Sequence, residues 1–251
     1  MLKIQGGKYK RRSLKKPKSA RALQAKLRQH IFDYLRDFTK DAEVLDLFAG
    51  GGTFGFEALS RGAKSVTFVE KNKAAIKIIE QNAQFLGVTD KVSVVKADVN
   101  VYLNQAVYNK KARFNIIFLD PPFAKLLKFT PEQQRRYIRS LVYKSYKLLK
   151  KQSVIILKIH KRLPVTLMEN MAVLDTYTLG VNKLYYFVQP QFITQQNKKM
   201  LLFNNTDNKK RPLIGGSNTQ KRQFKNARNI AESDNDVNEQ KIYEIIKTFE
   251  E

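Results

Sequence analysis

Four consecutive residues, Asp120-Pro121-Pro122-Phe123, combine types that could handle a flat aromatic amine. Two adjacent prolines fix the backbone and offer no N–H of their own. The Asp120 carboxylate and the Pro121 carbonyl could then both accept hydrogen bonds from one incoming NH2 group. Phe123 supplies a face on which a base can stack. An amine attached to an aromatic ring is a poor nucleophile, because its lone pair is shared with the ring. Two acceptors on its N–H groups favour a pyramidal nitrogen, and fixed orientation toward a methyl donor does much of the rest. A rigid turn after a strand is the plain structural alternative.

A second constellation lies upstream, in Asp46-Leu47-Phe48-Ala49-Gly50-Gly51-Gly52-Thr53-Phe54-Gly55. Gly50, Gly52 and Gly55 match the G-x-G-x-x-G spacing, which lets a ligand lie against bare backbone between a strand and a helix. The spacing alone suits a dinucleotide as well as other nucleosides, and a ligand-free turn satisfies it too. No Lys-Ser or Lys-Thr pair follows, so it is not a phosphate-cradling P-loop. Glu70 ends the next apolar run, where a carboxylate can accept from the paired hydroxyls of a ribose. Asp98 follows a further run and could accept from an adenine amine, or merely cap a helix. NAD would satisfy the glycines and Glu70, but a nicotinamide dehydrogenase has no use for Asp-Pro-Pro-Phe.

The elements that must position these residues can be read from apolar periodicity. Short apolar runs at 43–48, 65–70, 92–96, 114–119 and 153–159 alternate with helical stretches at about 53–61, 73–86, 99–107 and 131–150. The last helix should begin with Thr130 as cap, Pro131 in its first position and Gln133 completing a capping box. Strands alternating with helices predict an α/β fold with a parallel sheet covered on both faces. Runs 173–179 and 184–189, joined across Gly180, predict a closing hairpin. Upstream, Leu23, Leu27, Ile31, Tyr34, Leu35 and Phe38 predict an amphipathic helix capped by Ser19. Residues 1–18 read as an extended basic arm turning at Gly6-Gly7.

Three regions follow: a basic arm and helix at 1–40, a catalytic domain at 41–190, and a polar extension at 191–251 with the composition of disorder. Within that extension, residues 239–249 have the spacing of one short helix. The net charge is +25, and its distribution is uneven. Residues 1–40 hold 13 basic and 2 acidic residues, residues 41–190 hold 23 and 12, and residues 191–251 hold 11 and 8. An AT-rich genome would raise Lys, Asn and Ile throughout, but would not make one arm so one-sided. The arm is expected to attract polyphosphate by counterion release, through Lys8, Lys10, Arg11, Arg12, Lys15, Lys16 and Arg21. With no cysteine and two histidines, His30 and His160, the chain offers neither disulfides nor a recognisable metal site. No secretory signal and no apolar run of roughly 18 residues is seen, so a cytoplasmic protein without a membrane partner, and a monomer, is expected.

Taken together, the glycine loop, Glu70, Asp98 and Asp-Pro-Pro-Phe resemble the class I methyltransferases that modify amino nitrogens. The opening LKIQGGKYKRRSLKKP, the segment Ile31-Phe32-Asp33-Tyr34-Leu35, the stretch LDLFAGGGTFGFEALSRGAKSVTFVE and the ending Tyr177-Thr178-Leu179-Gly180…Leu184-Tyr185-Tyr186 resemble the RsmD family over roughly residues 1–189. These are bacterial enzymes acting on guanine N2 of small-subunit ribosomal RNA. The resemblance implies a Rossmann-like seven-stranded, mostly parallel sheet with helices on both faces and an antiparallel last strand. It implies S-adenosylmethionine as cofactor, held by Asp46, Phe48, Ala49, Gly50, Gly52, Glu70 and Asp98. It implies catalysis at Asp120, Pro121 and Pro122 with Phe123 holding the base, and ribosomal RNA or the small subunit as partner. Two departures stand out. Arg21-Ala22-Leu23-Gln24 replaces an Arg-Pro-Thr-type stretch, and Lys158-Ile159-His160 stands where the family places an acidic residue. A DNA adenine-N6 methyltransferase and a non-catalytic RNA-binding assembly factor remain as alternatives.

Overall fold

The computed structural model describes residues 2–15, 23–109, 113–165 and 171–189. The arm opens with a small antiparallel ribbon of β1 (Leu2–Lys3) and β2 (Ser13–Leu14), with Leu2 opposite Leu14. Gly7 adopts φ 75° in the intervening turn. A Cβ there would lie 1.8 Å from the Ser60 carbonyl oxygen, so only glycine fits this close approach. Helix α1 (Leu23–Leu35) follows and buries Leu27, Ile31, Phe32, Tyr34 and Leu35. It stops before the expected Phe38, because Arg36 turns to φ 37° and Arg36–Thr39 tightens into a 3-10 turn. The expected cap, Ser19, lies outside the described residues, as does the extension at 191–251.

The main sheet then builds in alternation: β3 (Glu43–Leu47), α2 (Thr53–Ser60), β4 (Ser65–Glu70), α3 (Lys73–Leu86), β5 (Val92–Lys96), α4 (Val99–Asn109), β6 (Phe114–Leu119), α5 (Phe123–Leu126), α6 (Pro131–Tyr146), β7 (Leu149–His160), β8 (Ala172–Leu179) and β9 (Asn182–Val188). Its strand order is β5-β4-β3-β6-β7-β9-β8. The first five strands in space run parallel, and β9 runs antiparallel to both β7 and β8. All seven apolar runs read from the sequence are strands of this sheet. The central strands are apolar on both faces because helices cover both, as parallel sheets require. Val44, Leu45, Ile116, Ile117, Phe118, Ile155 and Leu157 are almost fully buried.

Thr130 caps α6 with the expected capping box and Pro131 in the first turn. The helix ends at Tyr146, four residues short of the expected 150. Leu148 and Leu149 continue a helical apolar spacing, but Phe114 N–H donates to the Leu148 carbonyl at 2.8 Å and Leu149 enters the ladder opposite Phe114. Sheet pairing therefore overrides local periodicity there. Among the described residues, no helix is long and apolar enough to cross a membrane.

Candidate active site

The chain runs from β3 outward to β5, then crosses back to place β6 on the other side of β3. Crevices at such a reversal, beyond the carboxyl ends of the strands, are where open α/β sheets bind ligands. The sequence-expected residues gather there. Asp46 lies one residue before the end of β3, in register with Phe118 of β6, two residues before Asp120.

The glycine loop turns through positive φ at Phe48 (59°), Gly50 (56°) and Gly52 (76°). Gly52 N–H closes the turn on the Ala49 carbonyl at 2.9 Å, and Ala49 N–H reaches the Val69 carbonyl of β4 at 3.2 Å. A left-handed Phe48 is unusual for a bulky residue. Gly55 lets α2 approach the sheet: a Cβ there would fall 2.3 Å from Phe68. Its N–H donates to Asp46 Oδ2 at 3.0 Å. The other Asp46 oxygen, Oδ1, is buried without a partner among the described residues. Burial, opposed by the Gly55 N–H and reinforced by the nearby Asp120 and Glu70 carboxylates, holds the Asp46 carboxyl well above the usual carboxylate range.

Glu70 ends β4 with its carboxylate held by three backbone N–H groups. Oε2 accepts from Gly50 N–H at 2.9 Å, and Oε1 accepts from the N–H groups of Lys71 (2.9 Å) and Asn72 (2.8 Å). A carboxylate has about four acceptor sites, so room for one further donor remains. Asp98 caps α4: Oδ1 accepts from Asn100 N–H at 3.0 Å, and Oδ2 pairs with Lys71 at 3.4 Å. For Asp98 the capping geometry is thus realised, and Lys71 and Asn100 hold its carboxyl below the usual range against the opposing effect of burial.

Asp120 follows β6, with Pro121 buried, Pro122 exposed and Phe123 half-buried at the start of α5. Both Asp120 oxygens accept from the Lys158 ammonium, which reaches across from β7. Lys158 is only 6 % exposed and lies 5.2 Å from the Phe123 ring centre. His160 meets the same ring edge-on at 6.3 Å. Sequence reasoning marked Lys158 as unusual without seeing this pairing. A lysine inside the apolar run SVIILKI was the available signal.

The arm packs beside this crevice. Lys8, Lys10, Arg11, Arg12 and Lys15 are all exposed on or beside the ribbon turn; Lys16 and Arg21 lie outside the described residues. The ribbon is tied down by two buried polar side chains that the sequence reading passed over. Asn82 accepts from Lys15 N–H at 2.9 Å and donates to the carbonyls of Lys15 (3.0 Å) and Gly51 (3.4 Å). Glu57 of α2 accepts from the N–H groups of Gln5 and Gly6, each at 2.9 Å. Glu57 also pairs with Arg28 at 3.2 Å and Arg61 at 3.0 Å. Both Asn82 and Arg28 sit within otherwise apolar helical stripes, which is a readable signal. Among the described residues, no cluster of three His, Asp or Glu residues could hold a metal ion.

The sheet order, the glycine turn at its reversal point and the acceptor-bearing loop after β6 define a Rossmann-like class I methyltransferase. More particularly, the chain belongs to the family described as Conserved hypothetical protein 95, whose model matches residues 2–188. Ribosomal RNA small subunit methyltransferase D of Haemophilus influenzae is 32% identical over 157 residues, covering 62% of this chain and 76% of that protein. The protein of that name from Escherichia coli K12 is 34% identical over 126 residues, covering 49% and 61% respectively. The solved structure of the provisionally named methyltransferase yhhF from Escherichia coli superposes with a TM-score of 0.64 at 26% identity, covering 75% of this chain and 97% of that one.

Proposed function

We propose that this protein transfers a methyl group from S-adenosylmethionine to the exocyclic N2 amine of a guanine in small-subunit ribosomal RNA. The observation that carries the reading is Asp120-Pro121-Pro122-Phe123 at the carboxyl end of β6, beside the glycine loop and the buried Asp46. The relatives named as small-subunit rRNA methyltransferases support the choice of substrate.

The residues fit the cofactor on two grounds. Asp46 Oδ1 is a buried acceptor lacking a donor, in a site rich in carboxylate. A cationic ligand carrying N–H donors answers both the missing hydrogen bond and the excess negative charge. A Cβ built at Gly50 meets nothing within 4 Å, which leaves open space against bare backbone. Asp46, Phe48, Ala49, Gly50 and Gly52 would line the cofactor, with Glu70 toward a ribose and Asp98 toward the adenine edge. When bound, the cofactor supplies an electrophilic methyl on a sulfonium.

Asp120 and the Pro121 carbonyl accept the two N–H bonds of the target amine, turning its lone pair out of the ring plane. Phe123 stacks on the base and fixes its tilt. Held by Asp46, the glycine loop, Glu70 and Asp98, the cofactor would supply the methyl group that the amine takes up. Nitrogen then releases one proton, which Asp120 can accept or pass to water. Reaching an amine in structured RNA requires the base to leave its stack. The exposed Lys8, Lys10, Arg11, Arg12 and Lys15 hold flanking phosphates, and Lys16 and Arg21 are assigned the same role from the sequence.

Tritiated methyl transfer to unmodified small subunits, free ribosomal RNA and duplex DNA tests this. Transfer to the RNA-containing substrates and not to DNA is expected. Asp120→Ala should abolish transfer while leaving S-adenosylhomocysteine affinity near wild type. Label appearing chiefly in duplex DNA, or full activity in Asp120→Ala, would overturn the reading.

A further inference from the structure

Lys158 places an ammonium where the target amine is expected, and its role is not explained by stability. A buried ion pair offsets little more than its own desolvation, so an apolar residue at 158 would suit the core equally well. Its neighbours are instead the two groups that would hold a base: both oxygens of Asp120 and the face of Phe123. An ammonium has three N–H donors and a carboxylate about four acceptor sites. Contact with both Asp120 oxygens uses at most two of the donors, and among the described residues the ammonium makes no other hydrogen bond. The pair therefore leaves a donor and an acceptor side by side, against one aromatic face.

Neighbouring donor and acceptor atoms on a base edge are close enough for paired side-chain groups to read them together. A spare acceptor beside a spare donor matches an amine next to an unprotonated ring nitrogen. In guanine, N1 carries a proton, so the only such neighbour of the N2 amine is N3. We infer that Lys158 is a specificity-determining residue, donating to guanine N3 while Asp120 accepts from N2. This rests on the guanine-N2 reading above and deepens it. It predicts that the base enters with its N2–N3 edge toward β7, and that a base lacking N3 as an acceptor is discriminated against by Lys158 alone.

The test is a cycle of one atom against one side chain. Small subunits are reconstituted with ribosomal RNA carrying either guanine or 3-deazaguanine at the position that the wild-type enzyme methylates. Initial rates give kcat/KM for wild type, Lys158→Met, Lys158→Gln and Lys158→Arg, each first shown to bind S-adenosylhomocysteine. The wild type should lose about tenfold to a hundredfold on 3-deazaguanine, the range for one hydrogen bond from a charged donor. Lys158→Met should be slowed on guanine by a similar factor and treat both bases alike, while Lys158→Gln, a neutral donor, should keep at most part of the preference. Lys158→Arg, which keeps a cationic donor, should retain part of the preference. Wild-type enzyme that methylates both bases equally would overturn the inference while leaving the guanine-N2 reading intact. So would full discrimination surviving in Lys158→Met. Wild-type enzyme that binds cofactor but forms no N2-methylguanine on normal RNA would remove both.

Discussion

Replacing Glu57 with alanine should destabilise the fold sharply, because three buried or half-buried demands meet on that one carboxylate. Its side chain is 1 % exposed, and that of its partner Arg28 is 2 % exposed. Arg28 has few other partners: Nη2 donates to the Lys3 carbonyl at 2.7 Å, and Nη1 has none among the described residues. Burial already pulls the Arg28 guanidinium below its ordinary range, with Glu57 opposing that pull. Truncation leaves this cation unpaired in the interior, a change worth about 3–5 kcal/mol in comparable buried pairs. It also strands the N–H groups of Gln5 and Gly6, so the ribbon loses its anchor on α2. Urea unfolding should show this loss, and hydrogen exchange should show the Gln5 and Gly6 amides losing protection ahead of the sheet. A paired Glu57→Met, Arg28→Met variant should recover the part due to the stranded charge, while the Gln5 and Gly6 amides stay unpaired. The reasoning fails if Glu57→Ala unfolds within about 1 kcal/mol of wild type, below the range for a stranded buried charge. It also fails if the double variant is no more stable than Glu57→Ala.

Three further outcomes follow from other sites. Burial, opposed by Asp33, pushes the His30 imidazole down to about 4, where it stacks on Tyr177 with ring centres 3.5 Å apart. The unfolded chain therefore takes up this proton first, and stability should fall as pH drops from about 6.5 to about 4, by on the order of 3 kcal/mol from this group. In His30→Phe, which keeps the stack, denaturant midpoints across that window should lose this component; an unchanged acid slope would refute it. Gly55→Ala would press a methyl against Phe68 and Val66. It should lower stability by about 1–3 kcal/mol and weaken cofactor binding through the Asp46 contact; a neutral effect on both would contradict the packing. Replacing Lys8, Lys10, Arg11 and Arg12 together by alanine should reduce the slope of log affinity for RNA against log salt by about three. An unchanged slope would detach the arm from RNA binding.

Much of the sheet was legible because parallel strands buried on both faces leave short, uninterrupted apolar runs, and glycines and prolines mark their ends. The Thr130 capping box was legible because its hydrogen bonds are local in sequence. Element ends were less so: Leu148 and Leu149 fit a helix or a strand, and only their pairing with Phe114 decides. The glycine loop, Asp46 and Asp120 could be singled out because strand-end positions carry ligands in this architecture. Their mutual approach could not be read, because β3 and β6 are about 70 residues apart and the sheet order that joins them is a tertiary fact. Asp98 illustrates the converse, since capping and ligand contact call for the same residue at the same place. Arg28, Glu57 and Asn82, and the partner of Lys158, were missed for one reason. Each is a polar residue in an apolar setting, and its justification is a partner distant in sequence.

The most direct measurement of the central claim is the identity of the methylated nucleoside. Small subunits lacking their modifications are incubated with the enzyme and S-adenosylmethionine carrying a labelled methyl group, and their RNA is digested to nucleosides for mass spectrometry. The account predicts a single labelled product, N2-methylguanosine, absent with Asp120→Ala. Label recovered in N6-methyladenosine, or no label despite measurable cofactor binding, would contradict it.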